Sequence, residues 1–424
     1  MNPQFILKGS VVYSTDKDHI KSIEQGYVVC DKGICRGVFQ QIPEQYRDFP
    51  LLDFGNQLIL PGMTDLHVHA PQYTYRGLGM DLELLQWLST YTFPEEARYQ
   101  DMSYAKEAYS YFTQDLKRSY TTRAVIFGTI HNEATIELMD QLEATGLVTY
   151  VGRVNMDRNG GENYEEASWE ASLQDTKEWL QAVKNRYQNT KPILTPRFIP
   201  TCSDSLMKGL GELMQEKGLR LQSHLSENLD EIAWVRELVP ASDCYANAYE
   251  IFGTLGNKEF PVVMAHCVYS DEREMEILKR YGVFVAHCPS SNVNVCSGLA
   301  PVKKQLEYGL RVGIGTDVAG GSSINMLAAM LTAIQVSKMY NRVIDRECPP
   351  LTFEEVFYLA TLGGGAYFGK VGSFQEGYEF DALVMDDSKI KSTRSLTPRE
   401  RAERMVYMNE ECMITKKYVR GVEI

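Results

Sequence analysis

The sequence predicts an α/β protein: a (β/α)8 TIM barrel over residues 61–369, with a small β-sandwich domain built from both chain ends, 1–60 and 370–424. Three observations predict it. From about residue 58 to 365, short apolar β-rich runs alternate with helical text, whereas both ends read as strands and turns. At 424 residues the chain exceeds the size at which a single core keeps growing, so a large unit plus a smaller one is expected. Four of the seven histidines stand just after apolar strand text, and a parallel barrel gathers such positions on one rim.

The elements follow in order. Phe5-Ile6-Leu7, Val11-Val12-Tyr13 and Tyr27-Val28-Val29-Cys30 are β-rich, and Asp31-Lys32-Gly33 is a turn. Leu58 to Leu66 then reads as the first barrel strand. It is followed by Arg123–Phe127, Val148–Val151, Ile193–Thr195, Leu219–Gln222, Val262–Ala265, Val283–Ala286 and Val312–Gly315. Helical periodicity covers Asp81–Tyr91, Met102–Lys117, Glu165–Tyr187, Ser203–Lys217 and Asp271–Tyr281. Strands alternating with helices form parallel sheets, whose strands are buried on both faces and so read as continuous apolar runs. The tail returns to β text at Asp381–Met385, Met405–Tyr407 and Met413–Val419.

Composition narrows the function classes. A hydrophobic fraction of 44% with 23% charged residues suits a soluble globular enzyme. The net charge of -13 argues against nucleic acid or an anionic membrane as partner, since phosphates would be repelled. No signal-like or spanning apolar stretch is visible, and nine cysteines without a CxxC pair fit reduced thiols, so a cytoplasmic protein is expected.

The chemistry resides in His67, His69, His224, His266 and Asp317, each at the end of predicted strand text. In a strand, residues i and i+2 face the same side, so His67 and His69 can address one ion. With a third imidazole from His224 and the Asp317 carboxylate they form a set suited to a divalent cation such as zinc, although iron accepts the same donors. A lone HxH is more often chance or core packing; five such groups at strand ends in a consistent order are not.

Pro61-Gly62-Met63-Thr64-Asp65-Leu66-His67-Val68-His69 resembles the PGxxDxHxH signature of the amidohydrolase superfamily, and His224, His266 and Asp317 follow in the order of strands five, six and eight. The resemblance implies a metal held by His67, His69, His224 and Asp317, with His266 orienting a water on it. Strand four offers Arg197 where binuclear members carry a modified lysine, which favours one zinc ion per subunit. Glu227, three residues after His224, then matches the proton shuttle of mononuclear members. Glu227, Asp317 and His266 are thus the expected catalytic groups.

Three stretches resemble the guanine deaminases of this superfamily: His69-Ala70-Pro71-Gln72-Tyr73 with Leu85–Pro94, Pro196-Arg197-Phe198-Ile199-Pro200, and Gly315–Gly321. By that resemblance Gln72 and Arg197 hydrogen-bond a purine and Phe198 shapes its pocket, with His224, Glu227 and Asp317 also against the substrate. The expected reaction is hydrolysis of guanine to xanthine and ammonia by a cytoplasmic homodimer. Rival readings are deamination of another heterocycle (cytosine, an adenosine derivative, a triazine) and a barrel scaffold without catalysis. His131-Asn132-Glu133 lacks the PCxxC that would complete another zinc-deaminase signature. Gly364–Lys370 lacks the Ser/Thr of a phosphate loop. His287 reads as a neighbour of the site rather than a ligand, and His19 as exposed.

Overall fold

The computed structural model describes residues 3–161 and 163–424. Four strands open the chain: β1 (Gln4–Ser14), β2 (Ile20–Asp31), β3 (Ile34–Phe39) and β4 (Leu51–Pro61). Ten parallel strands follow: β5 (Met63–His69), β6 (Thr121–Phe127), β7 (Val148–Gly152), β8 (Val154–Asn155), β9 (Thr190–Pro192), β10 (Thr195–Pro196), β11 (Leu221–Leu225), β12 (Val262–His266), β13 (Phe284–His287) and β14 (Arg311–Ile314). The last are β15 (Ala382–Asp386), β16 (Met413–Val419) and β17 (Val422–Glu423).

One parallel ladder runs β5-β6-β7-β9 and another β11-β12-β13-β14, with the short pair β8 and β10 extending the first. Leu194 bridges Leu221 in parallel, joining the ladders on one side. On the other, Asp317 N–H donates to the His67 carbonyl at 2.8 Å and His69 N–H to that of Val318 at 3.0 Å. A ring of eight strand positions therefore closes. Inside it pack Leu66, Val125, Ile193, Val263, Phe284 and Tyr367. Helices cover the outside because their apolar residues repeat on one face: Met102–Arg118 buries Ala105, Ala108, Tyr109, Phe112 and Leu116, and Asp101 caps its start.

Register explains how β5 aims its histidines. Asp65 pairs with Ala124 and Val68 with Ile126, so Leu66 and His67 together oppose the single residue Val125. This bulge reverses the side-chain alternation. Leu66 joins the interior cluster below, and His67 and His69 then face inward above it. Val68 meanwhile packs in the cluster under the helices.

Three expectations need correction. The first barrel strand is not continuous from Leu58: Leu58–Pro61 ends β4, and the barrel starts at Met63. Gly62 marks the switch, where a Cβ would lie 2.3 Å from Thr122 Oγ1. Met405–Tyr407 is helical, in Pro398–Tyr407, because Thr397 and Glu400 form a capping box and proline sits at the first position. The two chain ends do combine into a β module, but its strands form one continuous sheet, ordered β17-β16-β15-β4-β1-β2-β3. A fourth difference is at Asp81–Tyr91, where the helix is Leu84–Trp87, then a π-helical turn over Leu88–Thr92, then Phe93–Ala97.

The module is tied to the barrel by a buried pair: Arg123, in β6, donates to Asp381 from Nε (2.7 Å) and Nη2 (3.0 Å), and also to Glu379 (2.9 Å). All nine cysteines are free thiols.

Candidate metal centre and substrate pocket

The C-terminal ends of β5, β11, β12 and β14 bring His67, His69, His224, His266 and Asp317 together, all buried or nearly so. His69 Nε2 lies 3.1 Å from His67 Nε2 and 3.2 Å from His224 Nε2. Asp317 Oδ1 lies 3.2 Å from His67 Nε2 and 3.5 Å from His69 Nε2. Three basic nitrogens and an anionic oxygen converging this closely are compatible with a central cation. A tetrahedral ion with bonds of roughly 2.0–2.1 Å has ligand–ligand edges of about 3.3–3.4 Å. The three histidines fit one such ion, and Asp317 stands within 3.5 Å of two of them. Two metal-compatible groups overlap at His67: His67, His69 and His224 form one, and His67, His266, Cys288 and Asp317 form the other.

Hydrogen bonds fix the ring states. His224 Nδ1 meets the Arg197 carbonyl at 2.7 Å; a carbonyl only accepts, so Nδ1 carries the proton and Nε2 offers its lone pair. His266 Nδ1 meets Asn292 Oδ1 at 2.8 Å, which leaves Nε2 facing Glu227 Oε2 at 3.3 Å and Asp317 Oδ2 at 3.6 Å. Burial, then the neighbouring imidazoles, hold His69 and His224 well below the usual histidine range, so both stay neutral. Burial acts to raise Asp317, but the His67 and His266 rings outweigh it and keep its carboxyl low and ionised.

Phe127 backs three of the rings, its centroid 5.0 Å from His67, 4.4 Å from His69 and 5.0 Å from His224. Ser226, His266, Cys267 and Asp317 all carry positive φ, which non-glycine residues seldom adopt. Such strain concentrates where the chain must aim functional groups. Gly315 has no room for a side chain: a Cβ there would sit 2.8 Å from His67 Cβ and 2.9 Å from Cys288 Sγ.

Glu227 is buried at the same rim. Its Oε1 accepts from Ser297 at 2.9 Å, and its own N–H donates to Glu231, which caps the next helix. Burial, with the nearby Asp317 charge, pushes its carboxyl up to about 8. At neutral pH it is therefore a protonated acid beside the metal-compatible donors.

His69, His224, Glu227, His266 and Asp317 line one cavity together with Gln72, Leu84, Trp87, Leu88, Arg197 and Phe198. Gln72, in the turn after β5, accepts from Ala319 N–H at 3.0 Å and donates to Glu96 at 2.8 Å. Arg197 follows β10 and donates to both Glu96 oxygens, at 2.7 and 3.1 Å.

A model of the amidohydrolase family matches residues 58–424. The chain belongs to the amidohydrolase family. Among amidohydrolases it is similar to the guanine deaminase of Mus musculus, 36% identical over 87% of this chain and 83% of that protein. The guanine deaminase of Dictyostelium discoideum is 32% identical over 99% and 98%. A crystal structure of guanine deaminase from C. acetobutylicum with guanine bound in the active site superposes with a TM-score of 0.95, at 43% identity, over 99% of this chain and 100% of that one.

The residues singled out from the sequence thus meet in one place, with four exceptions. His287 is buried with neither ring nitrogen hydrogen-bonded and belongs to neither metal-compatible group. His131 precedes the helix Asn132–Thr145 without capping it, and does not line the cavity. His19 is exposed and paired with Asp16. Gly364–Lys370 runs from a helix end into turns. Sequence reasoning missed Glu96, Phe127, Asn292 and Ser297. Asn292 stands five residues after His287, but Glu96 and Phe127 carry no local signal.

Proposed function

We propose that this amidohydrolase deaminates guanine, converting guanine and water to xanthine and ammonia. The observation that carries the reading is the pairing, across one cavity, of a metal-compatible donor set beside a protonated Glu227 with the donor face of Arg197 and Gln72. Guanine has a carbonyl oxygen and ring nitrogens on the edge away from its C2 amine, and a guanidinium with an amide suits them. Phe198, Leu84, Trp87 and Leu88 enclose the flat base with apolar surface.

A zinc ion held by His67, His69, His224 and Asp317 would supply Lewis acidity that makes a water nucleophilic near neutral pH. The chain's own groups do the rest. Asp317 and His266 Nε2 orient that water and take its proton as oxygen adds to C2. Glu227 gives its carboxyl proton to the adjacent ring nitrogen. The tetrahedral carbon then breaks its bond to the exocyclic nitrogen, which leaves as ammonia with the proton taken from the water, while the carbon's hydroxyl becomes the new carbonyl and returns its proton to Glu227.

Ammonia release measured from guanine, adenine, cytosine and a triazine tests the reading, with the largest kcat/KM expected for guanine. No release from guanine sinks it. One zinc per subunit is our assignment, and metal analysis of the purified protein checks it against iron. We also read the chain as a cytoplasmic homodimer, a reading that its nine free thiols support for the compartment. No helix among the described residues is long and apolar enough to cross a membrane. We divide it at 1–60 with 370–424 and 61–369, a division supported by sheet membership. The small module is read as a single-sheet layer packed beside the barrel.

A further inference from the structure

We propose that Glu96 is a positioning residue that sets which heterocycle the pocket accepts, by holding Arg197 and Gln72 in one fixed arrangement. The inference rests on the guanine-deaminating reading and adds to it a residue that touches no reacting atom.

Glu96 is 0% exposed, and its partner Arg197 is 2% exposed. Oε2 accepts from Arg197 Nη1 at 2.7 Å, and Oε1 accepts from both Arg197 Nη2 at 3.1 Å and Gln72 Nε2 at 2.8 Å. The guanidinium and the carboxylate thus form a fork on a fork, the geometry that fixes the plane of both. Phe93 flanks the pair, with the guanidinium carbon 5.0 Å from its ring centre.

The amide of Gln72 is fixed by the same carboxylate. Its Oε1 accepts from Ala319 N–H at 3.0 Å, and its Nε2 donates to Glu96. A flipped amide would set nitrogen against an N–H and oxygen against a carboxylate, so only one orientation satisfies both contacts. What remains for a ligand on Arg197 is donors alone. A carbonyl against that face gains hydrogen bonds. An amine in the same place meets N–H with N–H, and an unpaired buried donor is costly.

The π-helical turn over Leu88–Thr92 explains how one helical segment serves both purposes. Leu84, Trp87 and Leu88 line the cavity at ordinary helical spacing. The wide turn then inserts an extra residue. Phe93 and Glu96, rather than the positions a regular helix would present, come to lie behind Arg197. Glu96 also neutralises an arginine that would otherwise be an uncompensated charge at the pocket wall.

The test uses full-length, metal-replete protein. In Glu96→Gln the isosteric amide cannot accept from three donors, so KM for guanine and the inhibition constant of hypoxanthine are expected to rise about tenfold or more, the usual effect of losing charged hydrogen bonds. Adenine carries an amine where hypoxanthine has its carbonyl, and the preference of the protein for hypoxanthine over adenine is expected to shrink. kcat for guanine is expected to stay within a few-fold and metal content to stay unchanged. In an Arg197→Met background, adding Glu96→Gln is expected to change KM less than twofold, because the new amide oxygen still accepts from Gln72 and the rest of the effect runs through the arginine. If Glu96→Gln does not fold, Glu96→Asp carries the same test, since the shortened carboxylate cannot reach both partners. An unchanged KM, or a full further loss in the Arg197→Met background, overturns the inference. Absence of guanine turnover by the unaltered protein instead overturns the reading beneath it.

Discussion

Replacing Glu227 by glutamine keeps its size and its acceptor for Ser297 but removes the proton it would deliver. The carboxyl is buried, touches His266 and is pushed up to about 8 by burial and then by Asp317. It is therefore mostly protonated at pH 7 and mostly ionised by pH 9. Loss of a positioned general acid lowers turnover by about 10²- to 10⁴-fold. The expected result for Glu227→Gln is therefore a kcat for guanine down in that range, with metal content unchanged because Glu227 is outside the converging donors. The pH profile adds a second signature. Turnover by the native protein needs the protonated carboxyl, so it should fall with rising pH along a limb that the variant lacks. A cation beside the carboxyl favours its ionised form, so in the loaded enzyme this limb lies at or below about pH 8. Ammonia release from pH 6 to 10, on protein of known metal content, measures both. Turnover by Glu227→Gln within a few-fold of native would refute the assignment.

Other outcomes follow from the same structure. Asp317→Ala and His67→Ala should each lose bound metal and activity together, read by elemental analysis on folded protein; retained stoichiometric metal would count against the donor set. Gly315→Ala places a methyl inside 3.0 Å of His67 Cβ and Cys288 Sγ. It should cost about 1–3 kcal/mol of stability by overpacking and weaken metal retention, both checked by melting and competition with a chelator. Asp381→Ala strands the buried Arg123, whose second partner Glu379 is more exposed. A loss near 3 kcal/mol, the low end for a broken buried pair, should appear in denaturant unfolding.

Much of the site was legible because strand ends announce it. The proposed ligands are mostly histidines after apolar runs, and the parallel arrangement brings such ends to one rim whatever their separation in sequence. Arg197 betrayed itself by standing where another residue type was expected. Glu96 did not: in Phe93-Pro94-Glu95-Glu96-Ala97 it looks like any acidic first turn on a surface helix, and its burial depends on Arg197, far along the chain. Phe127 is one more apolar strand residue until the ladder sets it against His69. The bulge after Asp65 is equally silent, since it is a property of how two strands register. The misassigned Met405–Tyr407 shows the opposite failure, where apolar residues outvoted a capping box that was plainly written at Thr397 and Glu400.

The sheet that unites the chain's two ends has a consequence for biosynthesis. β4 pairs with β1 on one edge and with β15 on the other. While the ribosome is still making the barrel, that second edge has no partner. Unpaired edges of this kind recruit other chains, and closing them late makes assembly slow and vulnerable to aggregation. Nascent chains halted before residue 382 should accordingly be clients for chaperones, however complete their catalytic rim.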